Sequence, residues 1–152
     1  MPLMETDVLY AYLNKADKSH DIAVEIFKKI GEGEIKSVPK ISGLSLIELE
    51  ILLKSGVVKI GGRTPTDEEI SKYLGELCEG LRIYAVPIDP LHCETVKLSA
   101  EIRAKYKLSY YDSHYAAQAQ LHDKVIVSSD NAYDKVAEIE RIEPESLIQR
   151  TK

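Results

Sequence analysis

Apolar positions in this chain fall into short runs and helical repeats that alternate along its length. Leu3 to Asp7 starts extended, and Val8–Leu13 continues as an apolar run that fits helix as well as strand; we read strand, then helix. From Asp17 the spacing turns helical. Ile22, Ala23, Ile26, Phe27 and Ile30 share one face, Lys28 and Lys29 lie opposite, and Gly31 and Gly33 follow as stop signals. Lys36–Pro39 predicts a brief strand, and Leu44–Lys54 a strongly apolar helix closed by Gly56. After a loop at Gly61–Pro65, Thr66-Asp67-Glu68-Glu69 reads as a capping box opening a helix to about Leu81. Arg82–Val86 is a strand candidate. Asp89 then reads as an N-cap with Pro90 at the first helical position, starting a helix to about Tyr106. Tyr110–Leu121 predicts another helix and Val125–Val127 a β-branched strand. Asn131–Val136 reads as a short helix, Ile139–Ile142 as a last edge strand, and Pro144 as the opening of a terminal helical turn.

Strands alternating with helices predict an α/β fold, a three-layer α/β/α sandwich around a central, mainly parallel sheet with right-handed crossovers. The chain's 152 residues amount to one domain, taken as 1–152. A hydrophobic fraction of 44% and a charged fraction of 30% are ordinary for a folded globular protein. Apolar runs stay far below the ~20 residues that span a bilayer, and the first residues lack a signal peptide's pattern, so no membrane association and a cytoplasmic location are expected. Cys78 and Cys93 show no metal or disulfide spacing and are expected as small buried residues. A net charge of −5 argues against coating nucleic acid by charge alone, but leaves a local site open.

In a parallel sheet, ligands gather beyond the carboxyl ends of the strands. Acids fall where that edge should be: Glu5 and Asp7 around Thr6, Glu48 in the apolar helix, Asp112 at a helix start, and Asp130 just after Val125–Val127. Ionised acids at one site repel, so a cluster needs a cation, and oxygen ligands without a Cys or His pattern favour Mg²⁺ or Mn²⁺ over zinc. Taken singly each acid also has a structural role: Asp7 and Asp130 as helix caps, Asp112 as the closing residue of a Ser109-Tyr110-Tyr111-Asp112 capping box. Glu48 is harder to place structurally, because Leu44, Ile51 and Leu52 surround it at helical spacing. Its rival Glu50 has Lys54 four residues on as an ion-pair partner, so Glu48 is preferred.

With these residues in view the chain resembles the PIN domain family, which includes VapC-type toxin ribonucleases. The resemblance rests on four pieces in order: Glu5-Thr6-Asp7 followed by the apolar Val8–Leu13, Ser45-Leu46-Ile47-Glu48-Leu49, Leu108-Ser109-Tyr110-Tyr111-Asp112 leading into Ala116-Ala117, and Val127-Ser128-Ser129-Asp130 with Tyr133 beyond. It departs at the first acid, where the family usually has Asp directly before the hydroxyl and this chain has Glu5. Asp7 is favoured as the ligand because a shorter acid holds a metal more rigidly, with Glu5 kept as the alternative.

The resemblance implies a metal-dependent endoribonuclease in which Asp7, Glu48, Asp112 and Asp130 hold one or two Mg²⁺ or Mn²⁺ ions. Thr6 and Ser128 would orient the carboxylates. Lys15 and Lys107, with Lys18, Arg103 and Lys105 nearby in sequence, are candidates for RNA backbone contacts. Tyr106, Tyr110, Tyr111 and Tyr115 cluster around Asp112; bases stack on such rings, although core packing is the better reading for most of them. The resemblance also implies a homodimer and an antitoxin partner, docked on the helices at 17–30 and 44–54 with a basic residue in the acidic site. A catalytically silent PIN-like module that binds RNA or protein is the alternative. A receiver-type phosphoacceptor also gathers acids at strand ends, but Pro87-Ile88-Asp89-Pro90 fits a cap better than its phosphorylated Asp.

Overall fold

The computed structural model describes residues 1–149. Its order is β1 (Leu3–Met4), α1 (Thr6–Leu13), α2 (His20–Gly31), β2 (Lys40–Ser42), α3 (Gly43–Ser55), α4 (Asp67–Ile83) and β3 (Ile88–Asp89). Then follow α5 (Cys93–Tyr106), α6 (Tyr110–Leu121), β4 (Val125–Val127), a 3₁₀ turn at Asn131–Lys135, β5 (Glu140–Ile142) and α7 (Pro144–Gln149). The five strands form one sheet in the order β3-β2-β1-β4-β5, every pairing parallel, where the alternation of elements predicts a mainly parallel sheet.

Strand alternation sends neighbouring side chains to opposite faces and so builds two cores. Met4, Ile41, Val127 and Ile142 pack with α1, α2, α3, α4 and α7, where Phe27 sits between the rings of Tyr12 and Tyr84 at centroid distances of 4.5 and 5.8 Å. Leu3 and Ile126 point the other way, onto Ile102, Leu108, Tyr115, Ala116 and Ala119 of the α5–α6 side. Small Ala residues let α6 lie close to the sheet, which brings Asp112 and Tyr115 toward the ends of β1 and β4.

Several local expectations shift. Val8–Leu13 is helix. The second strand is Lys40–Ser42 rather than Lys36–Pro39, because Pro39 has no N–H to donate to a ladder; pairing begins one residue later with Lys40 N–H on the Pro2 carbonyl at 2.9 Å. Arg82–Val86 is not a strand: α4 runs on to Ile83, Tyr84 N–H bonds the Gly80 carbonyl at 2.9 Å, and Ala85 turns through a positive φ of 53° before β3 begins at Ile88. Asp89 is no N-cap either. It ends β3, where its carboxylate meets Lys40 Nζ at 3.3 Å and Gln118 Nε2 at 2.9 Å, while His92 precedes α5 without a side-chain cap. Asp17 lies before α2, its carboxylate accepting from Ser19 N–H at 2.8 Å. Cys78 and Cys93 are exposed rather than buried, each on the outer side of its helix.

The capping box at Thr66 forms as predicted: Thr66 Oγ1 accepts from Glu69 N–H at 3.3 Å, and Glu69 Oε2 accepts from Thr66 N–H at 2.9 Å. Thr66→Ala removes the side-chain acceptor at the start of α4 and is expected to cost about 1 kcal/mol. That corresponds to a melting point lower by roughly 2–4 °C for a chain of this size. An unchanged melting curve would show that Glu69, held by Arg63, fixes the helix start unaided. Among the described residues no helix is long and apolar enough to cross a membrane.

Candidate active site

The chain winds from β1 through β2 to β3 on one side, then returns to lay β4 and β5 on the other, so the strand order reverses beside β1. That reversal lies at the carboxyl ends of β1 and β4, the place where parallel sheets bind ligands. Glu5 directly follows β1, and Thr6 and Asp7 open α1; Ser128, Ser129 and Asp130 follow β4. Asp112 enters from the first turn of α6, where Ser109 Oγ caps its N–H at 3.2 Å. Glu48 enters from α3, half-buried, while Glu50 on the same helix is exposed; Lys54 pairs with Asp67 at 3.5 Å instead of Glu50.

Hydroxyls and amides hold these acids. Thr6 Oγ1 donates to Glu48 Oε2 at 2.6 Å and Tyr115 Oη donates to the same oxygen at 2.5 Å, the two hydroxyl oxygens standing 2.9 Å apart. Ser128 Oγ donates to Glu5 Oε2 and accepts from Asp130 N–H at 2.9 Å. Ser129 N–H donates to Asp7 Oδ2 at 2.7 Å, tying α1 to the loop after β4. Asp130 is exposed, and its Oδ1 caps the 3₁₀ turn by accepting from Ala132 N–H at 2.8 Å. Arg141 braces that loop from below, donating to the Ser128 carbonyl at 3.0 Å and to Asp134 at 2.7 Å.

Among the described residues no Lys or Arg pairs with Glu5, Asp7, Glu48, Asp112 or Asp130. Burial, and then the charge of Asp7, push the Glu5 carboxyl well above the ordinary range, with Asp112 and Glu48 adding to the push against the Ser128 hydrogen bond. Asp7 is raised chiefly by burial, against its bonds to the Ser129 and Val8 backbone. Glu48 is raised by burial and by the charges of Asp112 and Asp7, although Thr6 and Tyr115 pull it back. The acids therefore share one negative field without a cation of the protein to balance it.

The donor set suits a hard divalent cation: it is all carboxylate oxygen, and Asp7 Oδ1 is buried without a hydrogen-bond partner. Among the described residues no three acids, histidines or cysteines stand close enough together to hold a metal ion as they are; the Glu5, Asp7, Glu48 and Asp130 carboxylates accept from hydroxyls and backbone amides instead. Beside Asp7 and Ser129 a largely apolar cavity of about 150 Å³ runs between α1 and α2, bordered by Lys18 and Ile22.

Of the tyrosines near Asp112, Tyr115 is fully buried, Tyr106 bonds Glu138 at 2.6 Å, and Tyr110 is 60% exposed, with the Arg103 guanidinium 5.1 Å from its ring centre. Lys15, Lys18 and Lys107 are exposed, whereas Lys105 is engaged with Glu138 at 2.7 Å and Arg103 with Ser113 at 2.8 Å. Sequence reasoning left two groups without a role: the Tyr115 hydroxyl on Glu48, and the Tyr133 hydroxyl, buried without a partner in the field of Glu5 and Asp112. In the sequence Tyr133 reads only as an aromatic following Asp130, and no local pattern shows where either hydroxyl points.

The family model of the PIN domain matches residues 3–139. The chain belongs to the PIN domain family. Among solved structures it is similar to FitAB bound to a DNA fragment, with 18% identity, a TM-score of 0.65 and 95% of each chain covered. It is similar also to FitAcB from Neisseria gonorrhoeae, with 20% identity, a TM-score of 0.63, and 95% of this chain and 99% of that one covered. A toxin-antitoxin complex from Klebsiella pneumoniae shares 15% identity at a TM-score of 0.55, over 95% of this chain and 98% of that one. At this identity the likeness is one of fold. No curated protein matches the sequence.

Proposed function

We propose that this chain is a metal-dependent endoribonuclease, acting as the toxin of a toxin-antitoxin pair. The observation that carries the reading is the set of carboxylates at the strand-order reversal, of which Glu5, Asp7 and Glu48 are pushed up by burial and by neighbouring acids, with no Lys or Arg paired to any of the set among the described residues. Membership of the PIN family supports nuclease chemistry, and the toxin-antitoxin complex among the solved structures supports an antitoxin partner. Asp7, Glu48, Asp112 and Asp130 would hold Mg²⁺ or Mn²⁺, with Glu5 the alternative to Asp7 as first ligand. Such an ion supplies a water of lowered pKa for in-line attack on phosphorus and stabilises the departing oxygen.

The chain's own residues do the rest. Thr6 and Ser128 hold carboxylates in place, and Ser129 fixes Asp7 against the β4 loop. Lys15 and Lys107 stand exposed to meet RNA phosphates, and the exposed ring of Tyr110 offers an unpaired base a surface to stack on. An antitoxin would lay a basic residue into the acidic site, docking on the α2 and α3 side, and the toxin itself would pair with a second copy.

Cleavage of a total RNA pool with Mn²⁺ or with EDTA tests the reading, comparing the wild type with Asp112→Asn/Asp130→Asn. Asn keeps an oxygen at position 130 for the Ala132 cap, and the cap at position 112 uses only backbone, so the variant keeps its fold. Discrete Mn²⁺-dependent fragments from the wild type alone are expected. Equal background from both proteins would overturn the nuclease in favour of a silent binding module.

A further inference from the structure

Tyr115 sits on α6, one turn beyond Asp112, with its side chain fully buried and its hydroxyl on the Glu48 carboxylate. A buried tyrosine that served packing alone would direct its hydroxyl to a backbone carbonyl or to water. Here Oη meets Glu48 Oε2 at 2.5 Å and Thr6 Oγ1 at 2.9 Å, and Thr6 reaches the same Oε2 at 2.6 Å. Thr and Tyr hydroxyls carry one proton each. With Glu48 ionised, both protons go to Oε2, and the Thr6–Tyr115 edge carries none.

One carboxylate oxygen is thus claimed by two charge-assisted donors, arriving from α1 and α6, while the carboxylate itself belongs to α3. Hydrogen bonds of this kind are shorter and roughly twice as strong as neutral ones, and two from fixed backbones leave a three-torsion Glu little rotational freedom. The other oxygen, Oε1, accepts no hydrogen bond from either donor. A free glutamate on a helix exchanges rotamers; this one presents one defined oxygen.

We propose that Tyr115 is a positioning residue that, with Thr6, pins Glu48 Oε2 so that Oε1 is the oxygen offered to a divalent cation. The inference rests on the metal-dependent reading of the site. It also links the acids: α6 contributes Asp112 and, through Tyr115, sets the orientation of Glu48, so one rigid helix governs two of the carboxylates. Groups that orient a ligand in this way typically change metal affinity by 10–100-fold when removed.

The test is Mn²⁺ binding, followed by calorimetric titration of the whole chain, with no RNA present. Tyr115→Phe keeps the ring and the packing against Ala116 and Ile126 while deleting the hydroxyl, and is expected to weaken Mn²⁺ by about 10–100-fold with a cooperative melt retained. Thr6→Ser, which keeps a hydroxyl, is expected to escape that loss and bind Mn²⁺ as the wild type does. Thr6→Val should weaken binding, and Tyr115→Phe/Thr6→Val should lose more than the product of the single losses, because each single variant leaves one donor on the shared oxygen. Tyr115→Phe binding Mn²⁺ as the wild type does, while Glu48→Gln does not, would overturn the inference and leave the metal reading standing. A wild type that takes up no Mn²⁺ overturns both. If Tyr115→Phe melts without cooperativity, the coupling is read from Thr6→Val and Thr6→Ser: equal affinity in those two overturns the shared-oxygen arrangement.

Discussion

Glu48→Gln is expected to lower Mn²⁺-dependent RNA cleavage by about a thousandfold, the scale of several kcal/mol that a held metal ion contributes to a phosphoryl transition state. The substitution isolates charge from shape. Gln offers a carbonyl oxygen that still accepts from Thr6 and Tyr115, so the contacts around Oε2 survive and only the negative charge is lost. Stability should move the opposite way from activity. Burial and then the neighbouring acids raise Glu48 in the folded protein, so its ionised form weakens the fold near neutral pH, and the neutral amide relieves that strain. A metal-free melting point equal to or above the wild type's, together with the lost cleavage, is the expected pair of results. Cleavage retained within tenfold would remove Glu48 from the site and return attention to Asp112 and Asp130. Unfolding instead of inactivity would mean that the charge, held by Thr6 and Tyr115, serves the fold.

Much of this geometry is legible in the sequence because it is local. Glu5, Asp7 and Asp130 each fall within three residues of an apolar strand run, and Asp112 follows Ser109 at cap spacing, so strand ends and helix starts place them without knowledge of the tertiary fold. A mainly parallel sheet follows from the alternation of elements for the same reason, and the structure makes every pairing parallel. What escapes the sequence is short or distant. β3 is two residues long, too brief for a period, and the true end of α4 is set by the turn at Ala85 rather than by any change in apolar spacing. Asp89 before Pro90 has the composition of a cap, yet Lys40 and Gln118 draw its carboxylate inward from other elements. Tyr115 reaches Glu48 across 67 positions in the chain and Thr6 across 109, so its ring reads as core and its hydroxyl is silent until the helices are packed.

Glu5→Gln tests the electrostatic state of the site through pH. Glu5 is the most buried of the acids, only 8% exposed, and burial followed by the charge of Asp7 raises it well above 4.5, its value in the unfolded chain. A carboxyl raised in the folded state binds its proton more tightly there than when unfolded. Its contribution to stability is therefore full below about pH 4.5 and is lost as pH rises through the folded value. Gln cannot ionise, so the variant escapes that loss. At neutral pH, without metal, it is expected to be more stable than the wild type by ~1–3 kcal/mol, the cost of a buried polar group left without full compensation. Each kcal/mol is worth about 2–4 °C in melting point. The gap should close as pH falls below the ordinary glutamate range, because both side chains are then neutral and both accept from Ser128. It should also narrow with Mn²⁺, since a cation among the acids balances the charge that the wild type alone carries and stabilises the state that binds it. Thermal melts of both proteins across pH 4 to 8, with and without Mn²⁺, read all of these at once. A variant less stable than the wild type at neutral pH would show that the ionised Glu5–Ser128 bond outweighs the repulsion from Asp7, and that the first acid of the chain braces β1 against β4 instead of awaiting a cation.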